Sequence, residues 1–144
     1  MLNFSGPKPV LLAMVLMVLA AGALAQDEAV AESSEQGAPT VAISFGTDID
    51  RESRELVGET TDFAAGIERI TCLTLIKGLE APNSVTHVWY RDGKTMARVD
   101  LNVASTNWRT WSSKRLLPSW TGHWEVKVLD SDGRVLGSAD FQVK

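Results

Sequence analysis

At 144 residues, with 18 acidic against 14 basic side chains and 44% hydrophobic residues, the chain is long enough for one ordinary domain and too acidic to favour a phosphate backbone. Nucleic acid is therefore not an expected partner, because that binding rests on clustered positive charge. A single cysteine, Cys72, excludes an internal disulfide, so the fold must stand on its own core.

The first 25 residues read as a secretory signal peptide. Lys8 supplies the positive start, residues 10–19 form a continuous apolar run, and Ala23-Leu24-Ala25 offers a small-x-small cleavage site. Cleavage is expected near Ala25, before Gln26, and would leave a periplasmic or secreted protein. An uncleaved signal anchor is the alternative, although the apolar run is short for a bilayer span, so no stable membrane span is expected after cleavage. Without residues 1–25 the balance is 13 basic against 18 acidic residues, a net charge of −5. Residues 26–39 are polar, acidic and free of aromatic side chains, which suits a flexible acidic tether. The domain itself is placed at residues 40–144.

Within that domain, residues 41–45 read as a first strand between Pro39 and Gly46. Residues 47–66 hold charged and small side chains without a sustained period and are expected to form a long acidic connection. Residues 70–76 are rich in β-formers on both faces, the pattern of an interior strand, with Cys72 expected as a small buried hydrophobe rather than a reactive thiol. Residues 85–91 and 96–103 form a hairpin around Asp92-Gly93, since glycine accepts positive φ. In its second arm Ala97, Val99, Leu101 and Val103 alternate with Arg98, Asp100 and Asn102. Residues 108–114 make the next strand, stopped at Leu116-Leu117-Pro118. Residues 123–129 alternate again, with Trp124, Val126 and Val128 inward. The turn at residues 130–133 leads to a last strand with Ala139, Phe141 and Val143 inward and a bulge at Gly137-Ser138.

About seven short strands with Gly, Pro and Asp turns point to an all-β fold, a two-sheet antiparallel sandwich of immunoglobulin-like character. A small barrel is the alternative. Trp89 sits where immunoglobulin-type domains place a core tryptophan, after Cys72 on the preceding strand; Val126 and Val128 stand near the position of the second cysteine those domains use.

Four of the five tryptophans fall between Trp108 and Trp124. Trp89 and Trp124 alternate with apolar neighbours and are expected in the core. The three-residue offset between Trp108 and Trp111 puts them on opposite faces of a regular strand, with Trp108 inward and Trp111 outward beside Arg109. Trp120, in Pro-Ser-Trp-Thr-Gly, either caps the sandwich end or stands exposed.

The residues Thr86-His87-Val88-Trp89, Gly93-Lys94, Trp108-Arg109-Thr110-Trp111-Ser112-Ser113-Lys114, Pro118-Ser119-Trp120-Thr121-Gly122-His123-Trp124 and Asp132-Gly133 together resemble the bacterial family known as domain of unknown function 2914. The resemblance extends over residues 40–144. It implies a C-terminal domain of bacterial envelope proteins, with no activity attached.

Catalysis is not expected. His87 and His123 lie on separate strands without zinc-ligand spacing, so neither metal nor other cofactor is implied. His87 shares a face with Val85 and Trp89, where a hydrogen-bonded structural histidine is usual. Ser112 and Lys114 share a strand face, yet diverge too far for routine serine activation. The candidate binding residues are Arg109, Trp111, Lys114, Arg115 and Trp120, an aromatic-plus-cation set of the kind enriched at protein interfaces and able to hold an anionic glycan. The expected partner is an envelope protein or polysaccharide. Against this stands a purely structural reading, in which Arg109 stacks across Trp111 to cover the sheet, every tryptophan is scaffold, and a sheet edge serves assembly.

Overall fold

Alternation in the sequence becomes two packed sheets in the computed structural model, which describes residues 38–144; the expected signal peptide and residues 26–37 of the expected tether lie outside the described residues. The strands are β1 (Thr40–Gly46), β2 (Asp48–Asp50), β3 (Glu55–Val57), β4 (Asp62–Phe63), β5 (Arg69–Lys77), β6 (Asn83–Arg91), β7 (Lys94–Val103), β8 (Asn107–Arg115), β9 (Gly122–Leu129) and β10 (Val135–Val143). One sheet has the order β1-β5-β8 and the other β4-β10-β9-β6-β7, while β2 and β3 form a separate hairpin. The orders β1-β5-β8 and β10-β9-β6-β7 correspond to the A-B-E and G-F-C-C′ arrangement of immunoglobulin-like sandwiches.

The seven long strands are those the alternation predicts. Two expectations need correction. Residues 47–66 are not a plain connection, since they hold β2, β3 and β4; and the sandwich is not wholly antiparallel, because β4 runs parallel to β10 through Gln142↔Asp62 and Val143↔Phe63. The physical reason is one buried apolar side chain in each half of that acidic stretch. Ile49 and Phe63 are both buried, and each draws its few residues into regular pairing against the sandwich. Gln142 donates to the Thr61 carbonyl at 2.8 Å and Lys144 to that of Phe63 at 2.9 Å, which fastens β4 to the last strand.

The core is aromatic at one end and aliphatic at the other. Phe141 sits at the centre of the aromatic end, with its ring centroid 4.6 Å from that of Phe45, 5.6 Å from Phe63, 6.2 Å from Trp89 and 5.9 Å from Trp124. Trp89 and Trp124 are fully buried, as their alternation predicts. Each such side chain contributes about 1.5–3 kcal/mol of apolar burial. Cys72 and Val126 belong to the same cluster as Trp89, so the immunoglobulin disulfide is replaced by a thiol against an aliphatic side chain. Burial pushes the Cys72 thiol up to about 12, which keeps it protonated and inert. Ile76, Val85, Val103 and Val128 fill the aliphatic end, with Trp108 packed against them.

Two local devices set the hairpins. Asp92 and Gly93 take φ of 48° and 81°, the left-handed pair of a type I′ turn, and the Asp92 carboxylate accepts the His123 amide at 3.2 Å. In β10 the register shifts between Val135 and Gly137, and Gly137 lies so close to Val41 of β1 that no Cβ would fit there unmoved. No helix among the described residues is long and apolar enough to cross a membrane, which leaves strand-built membrane structures unaddressed.

Candidate functional site

Strand β8 carries most of the expected binding residues, and its register decides where they go. It pairs antiparallel with β5 from Arg69↔Arg115 to Lys77↔Asn107. Trp108, Thr110, Ser112 and Lys114 share one face, while Arg109, Trp111, Ser113 and Arg115 share the other. Ser112 is on the core side, so the odd-numbered set points away from the sandwich. Trp108 inward and Trp111 outward is the arrangement their spacing predicts.

Trp111 nonetheless is only half exposed. The turn between β2 and β3 reaches it: the Asp50 carboxylate accepts the amides of Glu52 at 2.8 Å and Ser53 at 3.1 Å, and these bonds hold its carboxyl below the usual range. That cap turns the chain so that Arg54, at φ 62°, places its guanidinium 5.8 Å from the centroid of the Trp111 ring. Arg109 does not stack on Trp111 as the structural reading supposed. Its Nη1 donates instead to the Arg54 carbonyl at 2.8 Å. Arg54 therefore belongs to the site, and no local pattern in the sequence marks it.

The remaining expected residues meet at the end of the strand. Lys114, Arg115 and Trp120 line an open cleft of about 590 Å³ together with Gly66, Glu68 and the segment 116–118. The Leu116 amide donates to the Glu68 carbonyl at 3.0 Å, which closes one wall, while Leu117 leaves 56% of its surface exposed. Trp120 caps the sandwich: its centroid is 6.2 Å from that of Trp124, its carbonyl accepts the Trp124 indole N–H at 3.3 Å, and the Lys114 ammonium lies 5.2 Å from its ring. The five expected residues thus fall into two groups on one strip: Arg109 and Trp111, joined by Arg54, on the outer face, and Lys114, Arg115 and Trp120 in the cleft. Among the described residues none of Arg54, Arg109, Lys114 or Arg115 is within ion-pair distance of a carboxylate.

A second polar group sits between the sheets. His87 is fully buried; its Nε2 is 2.9 Å from Thr74 Oγ1 and its Nδ1 2.7 Å from Ser112 Oγ, which also accepts the Trp89 indole N–H at 3.2 Å. Burial lowers the His87 pKa to about 4, so the ring is neutral at pH 7. A serine hydroxyl beside an imidazole is the first half of a nucleophile and base pair. Here the partner groups are hydroxyls and an indole rather than a carboxylate, and Ser112 is 6% exposed. Sequence spacing set Ser112 beside Lys114; the inter-sheet register gives it to His87. His123, by contrast, is exposed and bonds Asp140 at 2.8 Å across β9 and β10. No cluster of three metal-ligating side chains occurs among the described residues.

A family model described as "Protein of unknown function (DUF2914)" matches residues 82–143. That span begins beside β6 and ends with β10, so it takes in β8 and the cleft segment but not β1 to β5. No curated protein matches.

Proposed function

Taking as premise that the chain belongs to the DUF2914 family through residues 82–143, we propose that it is an exported, non-catalytic interaction domain that holds an anionic partner, an envelope protein or polysaccharide, on the strip formed by Arg109, Trp111, Lys114, Arg115 and Trp120. The observation that carries this reading is the cation on each aromatic ring. Arg54 covers Trp111, Lys114 lies against Trp120, and among the described residues no carboxylate within 4.0 Å neutralises either. Such rings are poor free platforms for sugar stacking, while the cations above them remain free to meet an anion. The cleft adds a recess with an apolar shoulder at Leu117. The non-catalytic part rests on Ser112 and His87 being committed to bonds inside the core.

The test is retention of a purified anionic envelope polysaccharide, and of envelope extract, on the immobilised chain. Lys114→Gln with Arg115→Gln should lower retention at least tenfold while costing no more than about 1 kcal/mol of stability, from the lost contact with Trp120. Equal retention by the variant would remove the strip as a binding surface.

The second reading is a structural or assembly domain that pairs through a sheet edge. Its support is that Trp120 packs on Trp124 and Trp111 is half covered, as scaffold residues would be. Sedimentation of the full chain tells the two apart, since the assembly reading requires concentration-dependent association without any added partner.

A further inference from the structure

The backbone of β8 offers more than its side chains. Antiparallel pairs alternate between residues that exchange both ladder bonds and residues whose N–H and C=O point away. The bonds just beyond each end of the β5–β8 ladder fix which are which: Leu116 N–H donates to Glu68 at 3.0 Å, and Gly78 N–H to Thr106 at 2.8 Å. Both keep the register that pairs Arg69 with Arg115 and Lys77 with Asn107. The exchanging residues of β8 are therefore the even-numbered ones, Trp108, Thr110, Ser112 and Lys114. The odd-numbered residues direct their amides and carbonyls to the open side. On β1 the same logic holds, where the outward carbonyl of Phe45 is taken by Thr60 N–H at 3.0 Å.

On β8 one such group is occupied among the described residues, the Asn107 carbonyl, which accepts Ser105 Oγ at 2.9 Å. Arg109, Trp111, Ser113 and Arg115 make no further backbone bond among the described residues. These four also send their side chains to the outer face, so a free main-chain row and a row of side chains coincide. Strand β8 carries Arg109, Lys114 and Arg115 and no acid. A second copy of β8 laid against it would set like charges across the pair, which is unfavourable. An acidic strand reverses that sign.

We propose that the open edge of β8 is a docking strand for an extended acidic polypeptide, which adds to the β1-β5-β8 sheet by main-chain bonds to Arg109, Trp111, Ser113 and Arg115 and sets carboxylates opposite Arg109 and Arg115. This rests on the interaction-domain reading above and narrows its partner to a protein strand. Affinity comes from the ladder and selectivity from the charge row.

The experiment is amide hydrogen exchange on the full chain, alone and with a synthetic peptide of alternating Glu and Val matched in length to β8. Alone, the amides of Thr110, Ser112 and Lys114 should exchange slowly and those of Arg109, Trp111, Ser113 and Arg115 quickly. The peptide should slow the odd-numbered set at least tenfold. Ser113→Pro removes an outward N–H, at a position where a sheet edge tolerates proline, together with the hydroxyl that bonds Thr71 Oγ1 at 2.8 Å, and should weaken peptide binding about tenfold. Arg109→Gln with Arg115→Gln should weaken it similarly without touching the backbone, which keeps the test open should the proline variant misfold. Peptide binding that leaves the odd amides fast overturns strand addition. A polyuronate that binds through Lys114 and Arg115 while the peptide does not also overturns it, yet leaves the interaction domain standing; failure of both ligands removes the broader reading with it.

Discussion

Folding alters the chemistry of His87 in the window between pH 4 and pH 7. In the unfolded chain its imidazole takes a proton near pH 6.5, whereas in the folded chain burial delays that to about pH 4. The unfolded state then binds more protons across this window, so stability is full above pH 6.5 and falls as the pH drops toward 4. The loss is of order 3 kcal/mol at the bottom of the window. Urea unfolding between pH 7 and pH 4 should show it, and His87→Gln should lessen that slope by about one proton. An unchanged slope in the variant would mean the imidazole is already charged in the folded core. Arg54 gives a second prediction. Arg54→Ala removes the cation above Trp111 and should cost up to about 1 kcal/mol while making tryptophan emission more readily quenched by acrylamide. Arg54→Gly also relieves the positive φ, so it should cost less than the alanine change.

Neither residue's role was fully legible in the sequence. A structural His87 followed from its face, shared with Val85 and Trp89, but its two hydroxyl partners lie on β5 and β8 in the opposite sheet, and only the packing of the sheets selects them. Arg54 is remote in sequence from Trp111 and sits in a stretch with no period at all. The Asp50 cap that aims it is a local signal, yet nothing local says what it is aimed at.

Among the elements, the strands that declared themselves are those with one wet face. In β7 and β9 every second side chain is apolar, so period and facing could be read together. The Asp92-Gly93 turn fixed the hairpin of β7 with β6 because few residue pairs accept that backbone. Strands β2, β3 and β4 were illegible because two or three residues hold no period; their regularity comes from Ile49 and Phe63 meeting a sandwich that must already exist. The bulge in β10 carries the element-level prediction. A Cβ at residue 137 would drive into Val41 Cγ2, so Gly137→Ala should destabilise by about 1–3 kcal/mol through forced separation of β1 from β10. Val41→Ala should then cost less in that background than in the unchanged chain, a coupling that a double-mutant cycle reads directly. Additive costs would place the strain elsewhere.

For the whole molecule, the net charge conceals how charge is arranged. The chain is acidic overall, and the acids concentrate in residues 26–39 and 48–68, while β8 and the cleft beside it keep cations that pair with no carboxylate among the described residues. The sandwich makes that separation possible. Its two sheets bury the aromatic core, which leaves the outer face of β8 and the recess beside Trp120 open to solvent. The division of the tryptophans follows the same logic: Trp89 and Trp124 are spent on the core, Trp108 and Trp120 close its ends, and Trp111 remains with Arg54 and Arg109 on the outside.

The central claim is that this unpaired positive strip is what the partner meets. A salt titration of partner retention tests it most directly, comparing the full chain with an Arg109→Gln, Lys114→Gln, Arg115→Gln variant whose cooperative urea unfolding shows that it is folded. Retention by the unchanged chain should fall steadily as salt rises through the physiological range, and the variant should retain little at any salt. Retention that is equal in the two proteins and indifferent to salt would contradict the account.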